Sequence, residues 1–500
     1  MTQVAEPTDA EISNETGLLG RWVSWTGGRG VTLLVLLAAA LLLTGLLWNR
    51  LADPPFWDAA WGSSAGAAEL AQNGFDYPAV LSAPPFDQGG PGTQSASLLT
   101  PVLGAFFILF GSPGGLIAGH VLMVALGGAL VAATFSLARR YLPTTLALAV
   151  AGLVLILPVI VQQVADPYID LPVALFTVLT VISFLDGRRG RAALFAALAI
   201  WFKPIGLMLL PLIALMGDKD EARRWSKNAF ASLFAAAPFA IHLSSRSVAT
   251  HTGADPSLET TIFLLRNALV TLGATTDVLL IAVLFVFAAI RQRRRQPDLV
   301  NAVSLITLGF LGILVFTMVF SQAVTVLPRY YVAVVPLWLV VVAIHLQGSH
   351  SRRVATGFFT LLIGFSLLNW NGNFYPLADH PHPVMVERTP GAAKEYLQLE
   401  IAGTRALAES AESVETLILE GAMHFRFQYP ELGFLSGAPE DLSSSRALSD
   451  PPTRSFAWIQ EPHITTETVT PAEVAEERGW TVERTPVWSG RWQSDLIISR

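Results

Sequence analysis

Five ionisable residues stand at the ends of apolar runs that are far apart in the sequence: Asp58, Asp166, Asp170, Lys203 and Arg329. Lys203 is the most telling. It lies inside the apolar stretch 192–216, in Ala199-Ile200-Trp201-Phe202-Lys203-Pro204-Ile205-Gly206. A charge at membrane depth costs about 3 kcal/mol or more, so it needs a partner or a task. Asp58 follows the first long apolar run, in Pro54-Pro55-Phe56-Trp57-Asp58. Asp166 and Asp170 flank Pro167-Tyr168-Ile169, and Arg329 opens another run in Leu327-Pro328-Arg329-Tyr330-Tyr331. Three carboxylates and two cations at one depth make a site at a membrane interface. Its chemistry suits transfer from a lipid phosphate. Two cations hold the phosphate and stabilise the charge that grows on it as a glycosidic bond breaks. A carboxylate opposite them takes the acceptor's proton. Carboxylates also help an oxocarbenium-like state by charge.

The elements that must position these residues follow from charge and hydropathy. Arg188, Arg189 and Arg191 precede the Lys203 stretch, and Lys219, Arg223, Arg224 and Lys227 follow it. Basic residues stay cytoplasmic, so both ends of the stretch face the same side. Each arm has about a dozen residues, roughly 18 Å at helical rise, too short to span comfortably. The expected shape is an inverted V with Lys203 at its tip. The other runs are 31–48, 97–110 (short, interfacial), 116–137, 146–161, 171–185, 228–243, 262–275 (a second interfacial helix), 277–290, 299–320, 332–346 and 356–370. Of the 22 Lys and Arg before residue 371, 17 fall in segments assigned to the cytoplasm; the others are Arg50, Lys203, Arg246, Arg266 and Arg329. This asymmetry puts the amino terminus inside. The loop 49–96, Asp166–Asp170, the Lys203 tip, Arg329 and the carboxyl-terminal region then lie outside.

Composition sets the class. The chain of 500 residues is 52% hydrophobic and 14% charged, too poorly charged for a soluble enzyme of this size. No cysteine is present, which excludes disulfides and thiolate metal sites. No cleavable signal is expected, and 31–48 stays as the first anchor. Residues 371–500 hold 19 of the 38 acidic residues and no spanning run. Helices are expected at 390–412 and 472–478, and strands at 416–419, 456–459 and 496–498. The expected fold is a polytopic α-helical membrane protein of about eleven membrane helices, counting the inverted-V pair, with a small extracytoplasmic α/β domain. Its parts are a cytoplasmic tail (1–29), a transmembrane domain (30–370) and the outer domain (371–500).

The order of these motifs resembles the GT-C superfamily of integral-membrane glycosyltransferases, especially its aminoarabinose-transferase and protein O-mannosyltransferase branch. The matching features are Asp58 after the first span, a helix-like stretch ending in Gly74, and Leu109-Phe110-Gly111. They continue with Leu137-Ala138-Arg139-Arg140-Tyr141, Asp170-Leu171-Pro172, Phe202-Lys203-Pro204 and Pro328-Arg329-Tyr330. The resemblance implies a polyprenyl-phosphate-linked sugar as donor and a lipid, glycan or protein hydroxyl as acceptor, with inversion. It implies Asp58 as general base or acceptor-positioning group, Lys203 and Arg329 on the donor phosphate, and Asp166, Asp170 and Tyr330 near sugar or acceptor. Asp170 is favoured over Asp166. Many relatives have two adjacent acidic residues where this chain has Asp58-Ala59. No metal or other cofactor is expected.

Other readings stand beside these. Lys203 can be a snorkelling side chain, and Arg329 an exception to the charge rule. Trp57, Trp61, Tyr330 and Tyr331 fit an aromatic belt. His120 reads as a packing histidine, and His242 and His251 as weak acceptor contacts. Asp379, His380 and His382 read as a solvated loop. The arginine clusters are topology signals rather than nucleic-acid sites. The alternative function is a secondary transporter or lipid flippase, for which intramembrane charges and a broken helix also speak. The absence of an inverted repeat and the long outer domain speak against it. A non-catalytic binder of polyprenyl lipid is a third possibility.

Overall fold

The computed structural model describes residues 18–55, 59–83, 96–215, 221–244, 276–321, 328–348, 352–370, 390–419, 423–435, 444–445, 453–460, 470–490 and 492–500. The expected interfacial helix at 262–275, Arg246, Arg266, His251, Asp379, His380 and His382 lie outside them, as do Trp57 and Asp58.

Up to residue 370 the described chain is helical. Helix α1 (Leu18–Leu47) is leucine-rich and leaves Leu41 73% and Leu46 53% exposed. Exposed side chains of this kind need an apolar surrounding such as lipid tails. A 3₁₀ turn, Trp48–Arg50, ends it. Two short helices follow, α2 (Ala65–Gln72) and α3 (Tyr77–Ser82). Helix α4 (Leu99–Ala138) joins the two runs expected at 97–110 and 116–137 across a break at Gly111 and Ser112. Gly111 has φ +61°, a left-handed conformation that a Cβ would strain.

Helices α5 (Thr144–Ile156) and α6 (Pro158–Ala165) replace the single run expected at 146–161 and meet at 58°. Pro158 has no N–H to give and holds Leu157 extended, which forces the bend. Helix α7 (Asp170–Leu185) packs on α8 (Arg189–Phe202). Lys203 is extended (φ −158°, ψ 139°), and the chain returns through a 3₁₀ turn, Pro204–Leu209, into α9 (Leu210–Ala214). Helices α10 (Glu221–Ala236), α11 (Phe239–Ser244), α12 (Thr276–Gln292), α13 (Pro297–Ser321), α14 (Val335–Gly348) and α15 (Arg352–Asn369) complete this part.

The structure corrects the expected count of about eleven membrane helices. Among the described residues only three helices are long and apolar enough to cross a membrane, or four if α5 and α6 form one bent span. The reason is visible in α14. It has 14 residues, below spanning length, and is buried on nearly every side from Val335 to Ile344. A helix apolar all round is as much the signature of a protein core as of a bilayer, and hydropathy does not separate the two.

Beyond residue 389, helix α16 (Pro390–Ser410) leads into a five-stranded sheet in the order β2-β1-β3-β5-β4. The strands are β1 (Thr416–Ile418), β2 (Ser444–Ser445), β3 (Phe456–Gln460), β4 (Val482–Ser489) and β5 (Trp492–Ser499). β1 runs parallel to β2 and β3, while β5 is antiparallel to β3 and β4. One face packs Leu407, Leu417, Phe427 and Ile459 together. The other packs Phe456 and Trp458 on Ala472 and Ala475 of α18 (Pro471–Glu477), the helix that follows α17 (Met423–Gln428). Among the described residues the sheet is open at both edges, one only two residues long, and does not close into the small α/β domain expected.

Candidate functional site

Pro204 creates the tip on which Lys203 stands. The ring disfavours helix for the residue before it, so α8 stops at Phe202 and Lys203 swings out. Ending a helix inside an apolar bundle leaves carbonyls to satisfy. The backbone N–H of Leu98 donates to the Trp201 carbonyl at 3.2 Å. His242 Nε2 lies 2.9 Å from the Ile200 carbonyl and 3.1 Å from that of Trp201. His242 is therefore a cap on the broken helix, which accounts for a buried histidine at this point.

From the tip, Lys203 Nζ donates to Asp170 Oδ1 at 2.7 Å. Asp170 opens α7 and is 3% exposed; its carboxylate faces the positive end of the helix dipole. Arg329 comes from the 3₁₀ turn Pro328–Ala333 and places Nε 3.7 Å from Asp170 Oδ2. Arg329 is 1% exposed. Aromatic rings line the cations. Lys203 Nζ sits 4.2 Å from the centroid of Tyr330, and Arg329 Cζ sits 5.1 Å from Tyr168 and 5.7 Å from Tyr330. Such contacts contribute about 0.5–2 kcal/mol each where water is excluded. Asp170, Lys203 and Arg329 together carry one net positive charge, gathered from three distant parts of the chain.

Asp166 belongs to a neighbouring cluster. It is 0% exposed and lies at the end of α6, extended ahead of Pro167. Arg50, in the turn that ends α1, donates to its Oδ2 at 3.2 Å and to Gln162 Oε1 at 3.3 Å. Gln162 Nε2 donates to the same Oδ2 at 2.6 Å. Asp53 Oδ2 lies 3.8 Å from Arg50 Nε. Burial pushes the Asp53 carboxyl up from its ordinary range, while Arg50 and Lys394 pull it back. His120 packs beneath, with Nε2 3.3 Å from the Asp53 carbonyl oxygen.

Of the residues singled out from sequence, Asp170, Lys203, Arg329 and Tyr330 meet in one place. Asp166 is one turn of chain away in the second cluster, and Asp58 lies outside the described residues. Tyr168, Arg50, Asp53 and Gln162 carry no expectation from sequence. Arg50 left one trace, as a basic residue on the wrong side of the charge asymmetry, and Gln162-Gln163 is a polar pair within apolar α6. Among the described residues, no group of three or more His, Asp or Glu could hold a metal ion.

No family model matches the sequence, and comparison with curated proteins gives no match. Among solved structures the chain is similar to ArnT from Cupriavidus metallidurans in the apo state. The TM-score is 0.53 at 14% identity, covering 93% of this chain and 97% of that one. ArnT from the same organism bound to undecaprenyl phosphate gives 0.49 at 14% identity, with 94% and 98% covered. The Archaeoglobus fulgidus oligosaccharyltransferase in complex with Zn and sulfate gives 0.40 at 13%, with 84% and 59% covered. At these identities the likeness to apo ArnT is one of architecture alone: this chain shares the fold of that structure.

Proposed function

We propose that this protein is an inverting glycosyltransferase of the aminoarabinose-transferase and protein O-mannosyltransferase type. It moves a sugar from a polyprenyl-phosphate donor to a hydroxyl of an envelope lipid, glycan or protein. In this reading the amino terminus is cytoplasmic, and the Lys203 tip and the region after residue 371 face outward. The observation that carries it is the convergence of Lys203 and Arg329 on Asp170.

Each residue then has a task. Lys203 and Arg329 hold the donor phosphate, Lys203 as a point charge and Arg329 through its planar fork. Asp170 and the rings of Tyr168 and Tyr330 keep both cations at one spot. Tyr330, only half buried, also faces the sugar or acceptor. The acceptor hydroxyl attacks the anomeric carbon on the face opposite the phosphate. The bond from that carbon to the phosphate oxygen breaks, and its electron pair leaves on the polyprenyl phosphate. The hydroxyl proton passes to the carboxylate of Asp58. The two cations stabilise the leaving phosphate as its charge grows, an effect largest in the transition state.

Mass spectrometry of envelope lipids and glycans, with and without the protein, provides the test. One envelope species gains a single sugar when the full chain is present. The Asp58→Asn variant, made at normal level, abolishes that gain. Unchanged transfer in this variant removes Asp58 from the mechanism, and identical envelopes with and without the protein sink the function. Lys203→Met is expected to weaken donor binding, seen as loss of the stabilisation that undecaprenyl phosphate gives the purified protein.

A further inference from the structure

Arg50 and Asp166 form a buried pair, and Asp166 shares a short turn with Asp170, the partner of Lys203 and Arg329. Arg50 is 5% exposed, Asp166 and Gln162 are 0% exposed, and all three are bonded to one another. A buried ion pair of this kind is weak evidence for stability, because well-packed apolar residues often do as well. What it fixes is geometry. The segment Asp166-Pro167-Tyr168-Ile169-Asp170 joins α6 to α7 and is bonded across itself, with the Tyr168 N–H donating to the Asp166 carbonyl at 2.7 Å. One end is tied to Arg50. The other end, Asp170, is tied to Lys203 and Arg329, and the middle residue, Tyr168, lies against the Arg329 guanidinium.

From this we infer that Arg50 and Asp166 are positioning residues that clamp the 166–170 turn, and so set where Asp170 holds Lys203 and Arg329. Asp166 is thereby a second anchor of the site rather than a contact to sugar or acceptor. The role as a determinant of donor binding rests on the function proposed above; the clamp itself does not.

The test uses the full chain in detergent, with Arg50→Met, Arg50→Lys and Asp166→Asn. Acylation of lysine side chains, followed by mass spectrometry, compares Lys203 with exposed Lys227. In the parent protein Lys203 is shielded by Asp170 and Tyr330. Arg50→Met is expected to speed its labelling about ten-fold, within the coupling found inside one ion-pair network, with Lys227 unchanged. Arg50→Lys keeps the charge and restores most of the protection. Asp166→Asn keeps the side-chain volume and serves if Arg50→Met does not fold; it is expected to raise labelling in the same direction. A second readout is stabilisation by undecaprenyl phosphate, which falls in Arg50→Met and Asp166→Asn. Folded variants with unchanged Lys203 labelling overturn the clamp, even if their melting temperature drops. If the parent protein gains no stability from undecaprenyl phosphate, the donor reading fails, while the labelling still decides the clamp.

Discussion

Asp170 is one carboxylate shared by two cations, and removing its charge takes a counter-charge from both in a nearly dry setting. Asp170→Asn is expected to cost about 3–5 kcal/mol, the range for breaking one partner out of a buried ion pair. A fall in the thermal midpoint of the purified protein checks this, and a midpoint equal to the parent's would show that the cations have other support. Tyr330→Leu removes a ring face from Lys203 and is expected to cost about 0.5–2 kcal/mol. Lys203, Asp170 and Arg329 were legible in the sequence because a charge stands out against an apolar run and must be compensated. Arg50, Gln162 and Tyr168 were not. A guanidinium bonded to a carboxylate 116 positions along the chain has no local signature, and a tyrosine beneath an arginine looks like any belt aromatic.

The lysine-tipped hairpin owes its tightness to Gly206. A Cβ there would come within 2.6 Å of the Ile200 nitrogen and 2.7 Å of the Ala199 carbonyl carbon, both backbone atoms of the opposite arm. Neither can yield as a flexible side chain would. Gly206→Ala is therefore expected to pry the arms apart at a cost of about 1–3 kcal/mol, as overpacking does. It should also raise Lys203 labelling, and unaltered stability would mean the arms can slide. This hairpin could be read from the sequence, since Pro204 and basic residues on both flanks dictate a break and a return. The bend between α5 and α6 was missed although Pro158 marks it. The apolar run continues through the proline, and hydropathy averages across it. The number of spans was misjudged for a related reason, because α14 is as apolar as any spanning helix but is wrapped in protein.

The carboxyl-terminal part sits on the first loop and on the break in α4. The Tyr429 hydroxyl donates to Glu69, Gln72 Nε2 donates to Glu431 at 3.0 Å, and the Ser112 hydroxyl reaches the Glu431 carbonyl at 3.4 Å. Between them lies a cavity of about 870 Å³ with Phe107 and Ile108 on one wall and Arg405 and Glu409 on the other. Burial, with Glu69 and Glu431 adding to it, raises the Tyr429 hydroxyl above its ordinary value of 10.0. A raised value favours the protonated donor in the folded state. Its contribution is fully present below about pH 10 and is lost as pH rises toward the higher folded value. Protection of the Glu69–Gln72 amides, taken relative to their intrinsic base-catalysed exchange rate, is thus expected to stay flat from neutral pH to about pH 9 and to fall above about pH 10. Tyr429→Phe should abolish that alkaline loss of protection, and an identical loss in this variant would place its cause elsewhere. The break at Gly111–Ser112 was foreseeable as the end of a short apolar run. That a folded domain would settle on it was not, because the contacts come from residues more than 300 positions later.

Helix α16 lies against α6, and Tyr396, Leu397, Leu399, Tyr429, Leu432, Phe434 and Trp492 belong to the same buried apolar cluster as the membrane helices. Among the described residues the two halves thus share one buried apolar cluster. A fragment starting at residue 390 would present tyrosines, leucines and a tryptophan to solvent where they normally join the apolar cluster of the preceding helices. In size-exclusion chromatography such a fragment should run as aggregates, and a clean monomer would mean that the sheet region keeps its shape without the rest of the chain.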